Sequence, residues 1–328
     1  MFISRTPFRF SFYGGSLDYQ EWYKKRSVKI ICAGLDYYCY QQVRILPSFF
    51  DFKYRISYSK IENVQHINEI QHPTARELIR KYAFDKNVEI SYTGDLPAKS
   101  GIGSSSAFTV GLINALNAIN NKFIGRTKLA LDAIDLEQNV VKETVGIQDQ
   151  CASAFGGLVL IDADKQGIRP RRFIINSRYL EYIQDNLIMG FDGKSRSSQI
   201  SAKNTVNSLL NSDKDSLLND LANYSEMGID CFCKEHTAER HAEITKKIRD
   251  IKLVLNGDKD NERLNKIIYK TEDSGSICTR FMGAGGGGFF VCWAPKERHN
   301  DIKNSVDIKT WVKVKFSRQG SQLIFVDQ

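Results

Sequence analysis

The stretch DLPAKSGIGSSSAFTVGLINAL, residues 95–116, limits the possible folds more than any other. It joins a strand-like segment, VEISYT at 88–93, to a helix whose apolar face runs through Phe108, Leu112, Ala115, Leu116 and Ile119. At the join stand Gly101, Gly103 and the serines Ser104, Ser105 and Ser106. A helix start leaves about four backbone N–H groups without partners and gathers roughly half a positive charge. Glycines let the chain approach a ligand closely, and short serines add hydroxyls without blocking access. The combination suits a phosphate, although a serine N-cap after a glycine turn reads the same way. It is not a P-loop, because no Gly-Lys-Ser/Thr closes it.

A second glycine cluster lies in ICTRFMGAGGGGFFVCWAP, residues 277–295. Gly283, Gly285 and Gly288 satisfy GxGxxG, but a dinucleotide fingerprint needs a helix afterwards, and FFVCWA reads as a strand. Strand, glycine turn, strand is a hairpin. So many glycines in one turn cost conformational entropy, which points to a close approach to something else rather than to a merely flexible loop.

Elsewhere, strands are expected at 7–13, 27–33, 36–45, 54–58, 277–282, 288–294, 309–316 and 321–326. Helices are expected at 74–84, 127–142, 197–211, 214–233, 236–252 and 259–272, and VGIQDQCASAFGGLVLID reads as a loop running into a strand. The class is α+β with two lobes: an amino-terminal lobe with a mixed sheet and the loop–helix, and a carboxy-terminal lobe with a sheet against helices. A charged, turn-rich stretch around 165–180 marks the seam, giving domains 1–175 and 176–328.

The chain has 328 residues, 42% of them apolar, and a formal charge of +8. The excess suits polyphosphate substrates. The basic residues are scattered, which argues against nucleic acid. No apolar run approaches the roughly 18 residues of a membrane span, and arginine stands where a signal peptide would be apolar. Seven irregularly spaced cysteines in a chain this large fit reduced thiols and a cytoplasmic location. Cys231, Cys233, His236 and His241 do not make a zinc site, because Cys-x-Cys within a helix cannot converge four ligands.

Three segments in order resemble the GHMP kinases. TPFRFSFYGGSLDY, residues 6–19, is similar to the family's amino-terminal Pro-x-Arg…Gly…Asp-Tyr motif. Pro97 and Gly101 to Ser105 match its Pro-x3-Gly-Leu-Gly-Ser-Ser, with Ile102 for leucine; GAGGGGF matches its carboxy-terminal turn. LEQNVVKETVGIQDQCASAFGG, residues 136–157, resembles the sugar-kinase stretch in which a helix glutamate precedes Gly-x-x-Asp-Gln. Together with GKSRSSQIS and VKFSRQGSQLIF, these segments look most like the D-glycero-D-manno-heptose 7-phosphate kinase branch. Three features depart from it: Lys99 in the loop, Ser16-Leu17 after the glycine pair, and the 228–262 segment.

The resemblance implies a two-lobed sugar kinase that uses ATP and Mg²⁺ to phosphorylate a sugar hydroxyl. The expected hydroxyl is the anomeric one of heptose 7-phosphate, on the way to nucleotide-activated heptose for surface polysaccharide. Pro97, Gly101, Ile102, Gly103, Ser104, Ser105, Ser106, Gly283, Gly285 and Gly286 would bind nucleotide. Ser105 and Glu137 would share the Mg²⁺. Asp149, in a loop, would receive the hydroxyl proton, and Arg9 would steady it or the transferring phosphoryl group. Gly14, Gly15, Asp18 and Tyr19 would contact the sugar, and Lys194 and Arg196 a phosphate on it. Galactose, fucose or an isoprenoid alcohol as acceptor, and a non-catalytic sugar or nucleotide sensor, stay open. The expected partners are small molecules only, with the chain a monomer or homodimer.

Overall fold

The computed structural model describes residues 1–194, 198–257, 261–283 and 285–326. The chain runs β1 (Phe2–Tyr13), α1 (Gln20–Tyr23), β2 (Val28–Ile45), β3 (Tyr54–Ser57), β4 (Ile61–Val64), α2 (Pro73–Tyr82), β5 (Val88–Gly94), α3 (Ser104–Ile119), α4 (Arg126–Asp135), α5 (Gln148–Phe155), β6 (Leu158–Asp164) and β7 (Gly167–Arg172). It continues α6 (Ser177–Asp185), β8 (Leu187–Phe191), α7 (Ser198–Leu210), α8 (Asp215–Cys233), α9 (Ala238–Asn256), α10 (Glu262–Asp273), β9 (Cys278–Phe281), β10 (Phe289–Trp293), α11 (His299–Ser305), β11 (Thr310–Lys313) and β12 (Gln322–Val326).

The first sheet has the order β12-β1-β2-β5-β3-β4, with β6 and β7 branching from β2. It is mixed, because β3 and β5 are parallel while the other pairs are antiparallel. The branch follows from the length of β2. Its first half, Val28–Ala33, pairs with β6, and its second half, Cys39–Ile45, pairs with β5. Two strands were expected here, at 27–33 and 36–45. They are one strand, continuous through Gly34, where an added Cβ would stand 2.6 Å from Ser317 Oγ. The second sheet, β11-β8-β10-β9, is antiparallel, and β12 returns from this half to the edge of the first sheet.

β1 is built by alternation. Phe10 and Phe12 meet Phe316 edge-on, and Phe12 meets Phe232 of α8 in the same way, while Arg9 and Ser11 project to the opposite side. α3 is apolar nearly all round and is correspondingly buried, against the sheet and α5. Val110, Leu112, Ile113 and Leu116 have no exposed surface, and each such side chain contributes about 1.5–3 kcal/mol. That burial outweighs the roughly 1–2 kcal/mol of left-handed backbone at Lys99 (φ 57°) in the preceding loop. Docking is close: Ser4 Oγ donates to Gly111 O at 2.9 Å, so the middle of the helix is held beside β1.

Several elements differ from the sequence expectation. The 127–142 helix is α4 followed by a π-helical turn over Leu136–Val140. Residues 148–155 form α5 rather than a loop, so Asp149 sits in a first helical turn. The seam at 165–180 holds β7 and the start of α6. The 309–316 strand is only β11, and β4, β8 and α11 were not anticipated. His241 is a core residue: its ring nitrogens meet Tyr13 OH at 2.7 Å and Tyr179 OH at 2.8 Å. No helix among the described residues is long and apolar enough to cross a membrane.

Candidate active site

A cleft of about 370 Å³ opens where the serine loop, the turn after β1, α5, α7, α9 and the β9–β10 turn meet. Its floor is made by two glycine loops lying back to back. Ser100 O accepts from Phe289 N at 2.9 Å, and a Cβ on Gly101 would stand 2.8 Å from Met282 O. A Cβ on Gly283 would in turn stand 3.1 Å from the Gly101 Cα. The hairpin's partner is thus the serine loop. Both chains approach at backbone distance, which only glycine permits at these positive φ angles.

α3 starts at Gly103 in the left-handed region (φ 71°) with no side-chain cap, so its first-turn amides stay free. The serines divide the labour. Ser104 Oγ accepts from Lys99 N at 3.1 Å and closes the loop, Ser105 is exposed, and Ser106 is buried. The hydroxyl that meets Glu137 belongs to Ser106, which donates to Oε2 at 2.9 Å. Ser105, the residue expected to share an ion with Glu137, points away because consecutive helical residues diverge by about 100°. Gln150 Nε2 donates to the same Oε2 at 2.5 Å, while Oε1 is buried without a hydrogen-bond partner. Burial pushes the Glu137 carboxyl up to about 7, against hydrogen bonds from Gln150 and Ser106 that pull it down. A carboxylate with one unsatisfied oxygen, beside a serine hydroxyl at an uncapped helix start, fits Mg²⁺, which takes few protein oxygens and fills the rest with water and phosphate.

Asp149 stands at the cleft's centre. Arg9 grips it bidentately, Nε to Oδ1 at 2.6 Å and Nη2 to Oδ2 at 2.9 Å, and Arg9 Nη1 donates to Gly101 O at 3.1 Å. Arg9 is 4% exposed and Asp149 24%, so the cation is buried behind a carboxylate that faces the cavity. Burial lowers the arginine's pKa, but the Asp149 charge overrides it and the net direction is up. The Asp149 Oδ2 lies 2.9 Å from where a Gly103 Cβ would be, so carboxylate and helix start adjoin.

Asp18 is buried beside Asp149, taking Ser16 N on Oδ1 at 2.9 Å and Gln148 N on Oδ2 at 3.4 Å. Burial and then the Asp149 charge raise its pKa, opposed by Lys252. Gly146 is packed so tightly on Asp18 that no side chain fits there. Tyr19 lines the same cleft.

Among the expected residues, Arg9, Asp18, Tyr19, Gly101, Gly103, Ser104, Ser105, Ser106, Asp149, Gly283 and Gly285 line the cleft. Glu137 lies one layer beneath, behind Ser106 and Gln150. Pro97 is exposed and shapes the turn by accepting from Ser100 Oγ, while Ile102 is a core side chain whose carbonyl takes Arg9 N. Gly14 supports the turn (φ 85°), and Gly15 lies under Lys252. Gly286 O accepts from Arg263, which pairs with Asp192. Lys194 is exposed and off the cleft, its N–H on Asp192, because Asp192 turns inward to hold Gly288 N instead. Arg196 lies outside the described residues. Lys252, Gln148 and Thr205 line the cleft without having been anticipated. Lys252 did leave a signal: it interrupts the apolar stripe Ile244, Ile248, Leu255 of α9 at the position where the stripe should continue.

In sequence, residues 68–157 match the family model described as the GHMP kinases N terminal domain. Mevalonate kinase of Thermococcus onnurineus is 24% identical over 257 residues, 71% of this chain and 68% of that protein. D-glycero-alpha-D-manno-heptose 7-phosphate kinase of Campylobacter jejuni is 26% identical over 223 residues, 64% and 62% of the two chains. In structure, a D-glycero-D-manno-heptose 1-phosphate kinase from Bacteriodes thetaiotaomicron superposes with a TM-score of 0.77 at 15% identity, covering 100% of both chains. These homologues are kinases, that is, phosphotransferases. Residues 68–157 thus match the GHMP kinase N-terminal domain model, and the chain as a whole shares the fold of these kinases.

Proposed function

We propose that the protein is an ATP-dependent small-molecule kinase whose acceptor is a sugar, with the anomeric hydroxyl of D-glycero-D-manno-heptose 7-phosphate as the leading candidate. One observation carries the reading: a carboxylate clamped by Arg9 adjoins the uncapped start of α3, so a terminal phosphoryl group seated on those amides lies beside a proton acceptor. In this reading the free amides of Gly103 to Ser106 and the glycines of the 283–287 turn hold the β- and γ-phosphates. The acceptor hydroxyl attacks the γ-phosphorus, a new P–O bond forms, the bond to the bridging oxygen breaks, and ADP leaves. Asp149 takes the hydroxyl proton, and Arg9 fixes its direction. Asp18 and Tyr19 orient the sugar. Glu137 and Ser106 would hold Mg²⁺, with Ser105 at hand; the ion supplies charge neutralisation on the phosphates.

The proposed division of labour is that residues 1–175 carry the phosphate seat and the proton acceptor, and 176–328 close the cleft. A cytoplasmic location accords with the free cysteines, nearly all of them buried. ADP release tests the proposal, measured with heptose 7-phosphate, the unphosphorylated heptose, galactose, fucose and mevalonate. Asp149→Asn is expected to lose about 10²–10⁴-fold in kcat while binding a non-hydrolysable ATP analogue within about threefold of wild type. Turnover near the wild-type level in that variant removes the base assignment. No ADP above background from wild type with any acceptor removes the kinase reading.

A further inference from the structure

The proposed reading leaves the cleft-facing cation of α9 without a task. Lys252 enters from α9, in the opposite half of the molecule from Asp149 and Asp18, and lines the cavity. Its ammonium makes no ion pair or hydrogen bond with any described residue. The nearby turn is shaped to admit it: a Cβ on Gly15 would stand 3.2 Å from Lys252 Nζ, 3.2 Å from Ser11 Oγ and 3.0 Å from Gln148 Nε2. Gln148, 9% exposed and lining the same cavity, keeps its Oε1 buried with no partner. An unpaired ammonium and an unused amide therefore share one corner, next to Asp18.

The charge of this corner is positive. Arg280 of β9 is buried behind Ser11, donating to its carbonyl, and Arg9 stands on the other side. Among the described residues, the carboxylates that act on Lys252 and Arg9 are Asp18 and Asp149, fewer than the three cations gathered there. Lys252 is half-buried, and desolvation, then Arg280, lowers its pKa to about 8, so its charge is costly to keep without a partner. Such an arrangement persists where a ligand supplies the missing charge.

We infer that Lys252 is the residue that selects the acceptor, its ammonium binding an anionic oxygen group that the acceptor carries beside the hydroxyls held at Asp18. This rests on the kinase reading for the identity of the cleft and goes beyond it by assigning the acceptor's charge to one residue. It displaces Lys194 from that role, since Lys194 lies off the cavity. A phosphomonoester or a carboxylate would satisfy the same ammonium, so the test separates them.

Wild type, Lys252→Met and Lys252→Arg are compared with heptose 7-phosphate, the same heptose without its phosphate, mevalonate and galactose. For the charged acceptor that wild type prefers, Lys252→Met is expected to raise KM about 10- to 100-fold, the range a charge-assisted hydrogen bond supplies. KM for ATP and for the neutral sugars should stay within about threefold, and Lys252→Arg should restore part of the loss. Preference for heptose 7-phosphate identifies a phosphate and preference for mevalonate a carboxylate. A wild type that prefers a neutral sugar, or a Lys252→Met variant equally impaired on charged and neutral acceptors, overturns the inference. If wild type turns over none of them, the kinase reading fails separately, and calorimetric titration with each compound decides the role of Lys252. Charged ligands bound more tightly than their neutral counterparts only when Lys252 is present support it, and no such discrimination refutes it. Thermal melts of both variants establish that the compared proteins are folded.

Discussion

Replacing Glu137 by glutamine should make the metal-free protein more stable at neutral and alkaline pH. In the native state the carboxyl is pushed up to about 7 from its ordinary 4.5, because it is fully buried and the Ser106 and Gln150 hydrogen bonds only partly compensate. Below pH 4.5 both folded and unfolded chains carry the proton. As pH rises towards 7 the unfolded chain releases it first and the folded chain holds it, so stability falls across that window and is level above it. The gap between 4.5 and about 7 corresponds to about 3 kcal/mol at 1.4 kcal/mol per tenfold. Glutamine mimics the protonated form. Its carbonyl can accept from Ser106 and Gln150 as Oε2 does, and its NH₂ falls where Oε1 has no donor. Urea denaturation in EDTA, from pH 4.5 to 8.5, should show the two proteins nearly equal at the acid end, with the variant ahead by about 3 kcal/mol at pH 8. Parallel pH profiles would refute the reasoning, since they would mean that Glu137 titrates alike in both states. The same variant should need more Mg²⁺ for half-maximal turnover, stability gained at the expense of function.

Two further outcomes follow from the geometry. Gly103→Ala puts a methyl 2.9 Å from Asp149 Oδ2 on a backbone at φ 71°. It should lower kcat about 100-fold by displacing the carboxylate and destabilise by about 1–2 kcal/mol, read from turnover and urea midpoints. With a charged acceptor, kcat/KM should fall above pH 8 as Lys252 loses its proton, an effect set by desolvation, then by Arg280 and Arg9, which disfavour its charge, and Asp18, which favours it. Lys252→Arg should abolish that alkaline limb in the pH–rate profile, because guanidinium stays charged.

Much of the site was legible in the chain because its signals are local. A strand, two glycines and three serines before an apolar helix can be read from adjacent residues, and the bare start of α3 is where that pattern puts it. Arg9 and Asp149 came from motif spacing, and their pairing across 140 residues was open until the fold joined them. What stayed hidden is non-local. The neighbouring serine that meets Glu137 depends on how α3 is rotated against the π-helical turn, which the hydrophobic pattern does not resolve to one residue. α5 was missed because Gly146 and the glycines after Phe155 bracket a helix of only two turns. β8 was missed because five residues, LIMGF, carry no alternation when both faces are covered. Lys252 shows only as a break in a stripe, and its meaning appears once α9 is seen to reach the opposite half.

The back-to-back glycine loops impose a mechanical rule on the cleft. Residues around 100 and 283–289, distant in sequence, form a single seam joined by main-chain bonding and by contacts with no room for a side chain. A motion that swung the two halves apart at this seam would dismantle the surface proposed to seat the phosphates. In the kinase reading, nucleotide and acceptor would then enter from the open side of the cleft, with its base kept by the same backbone contacts.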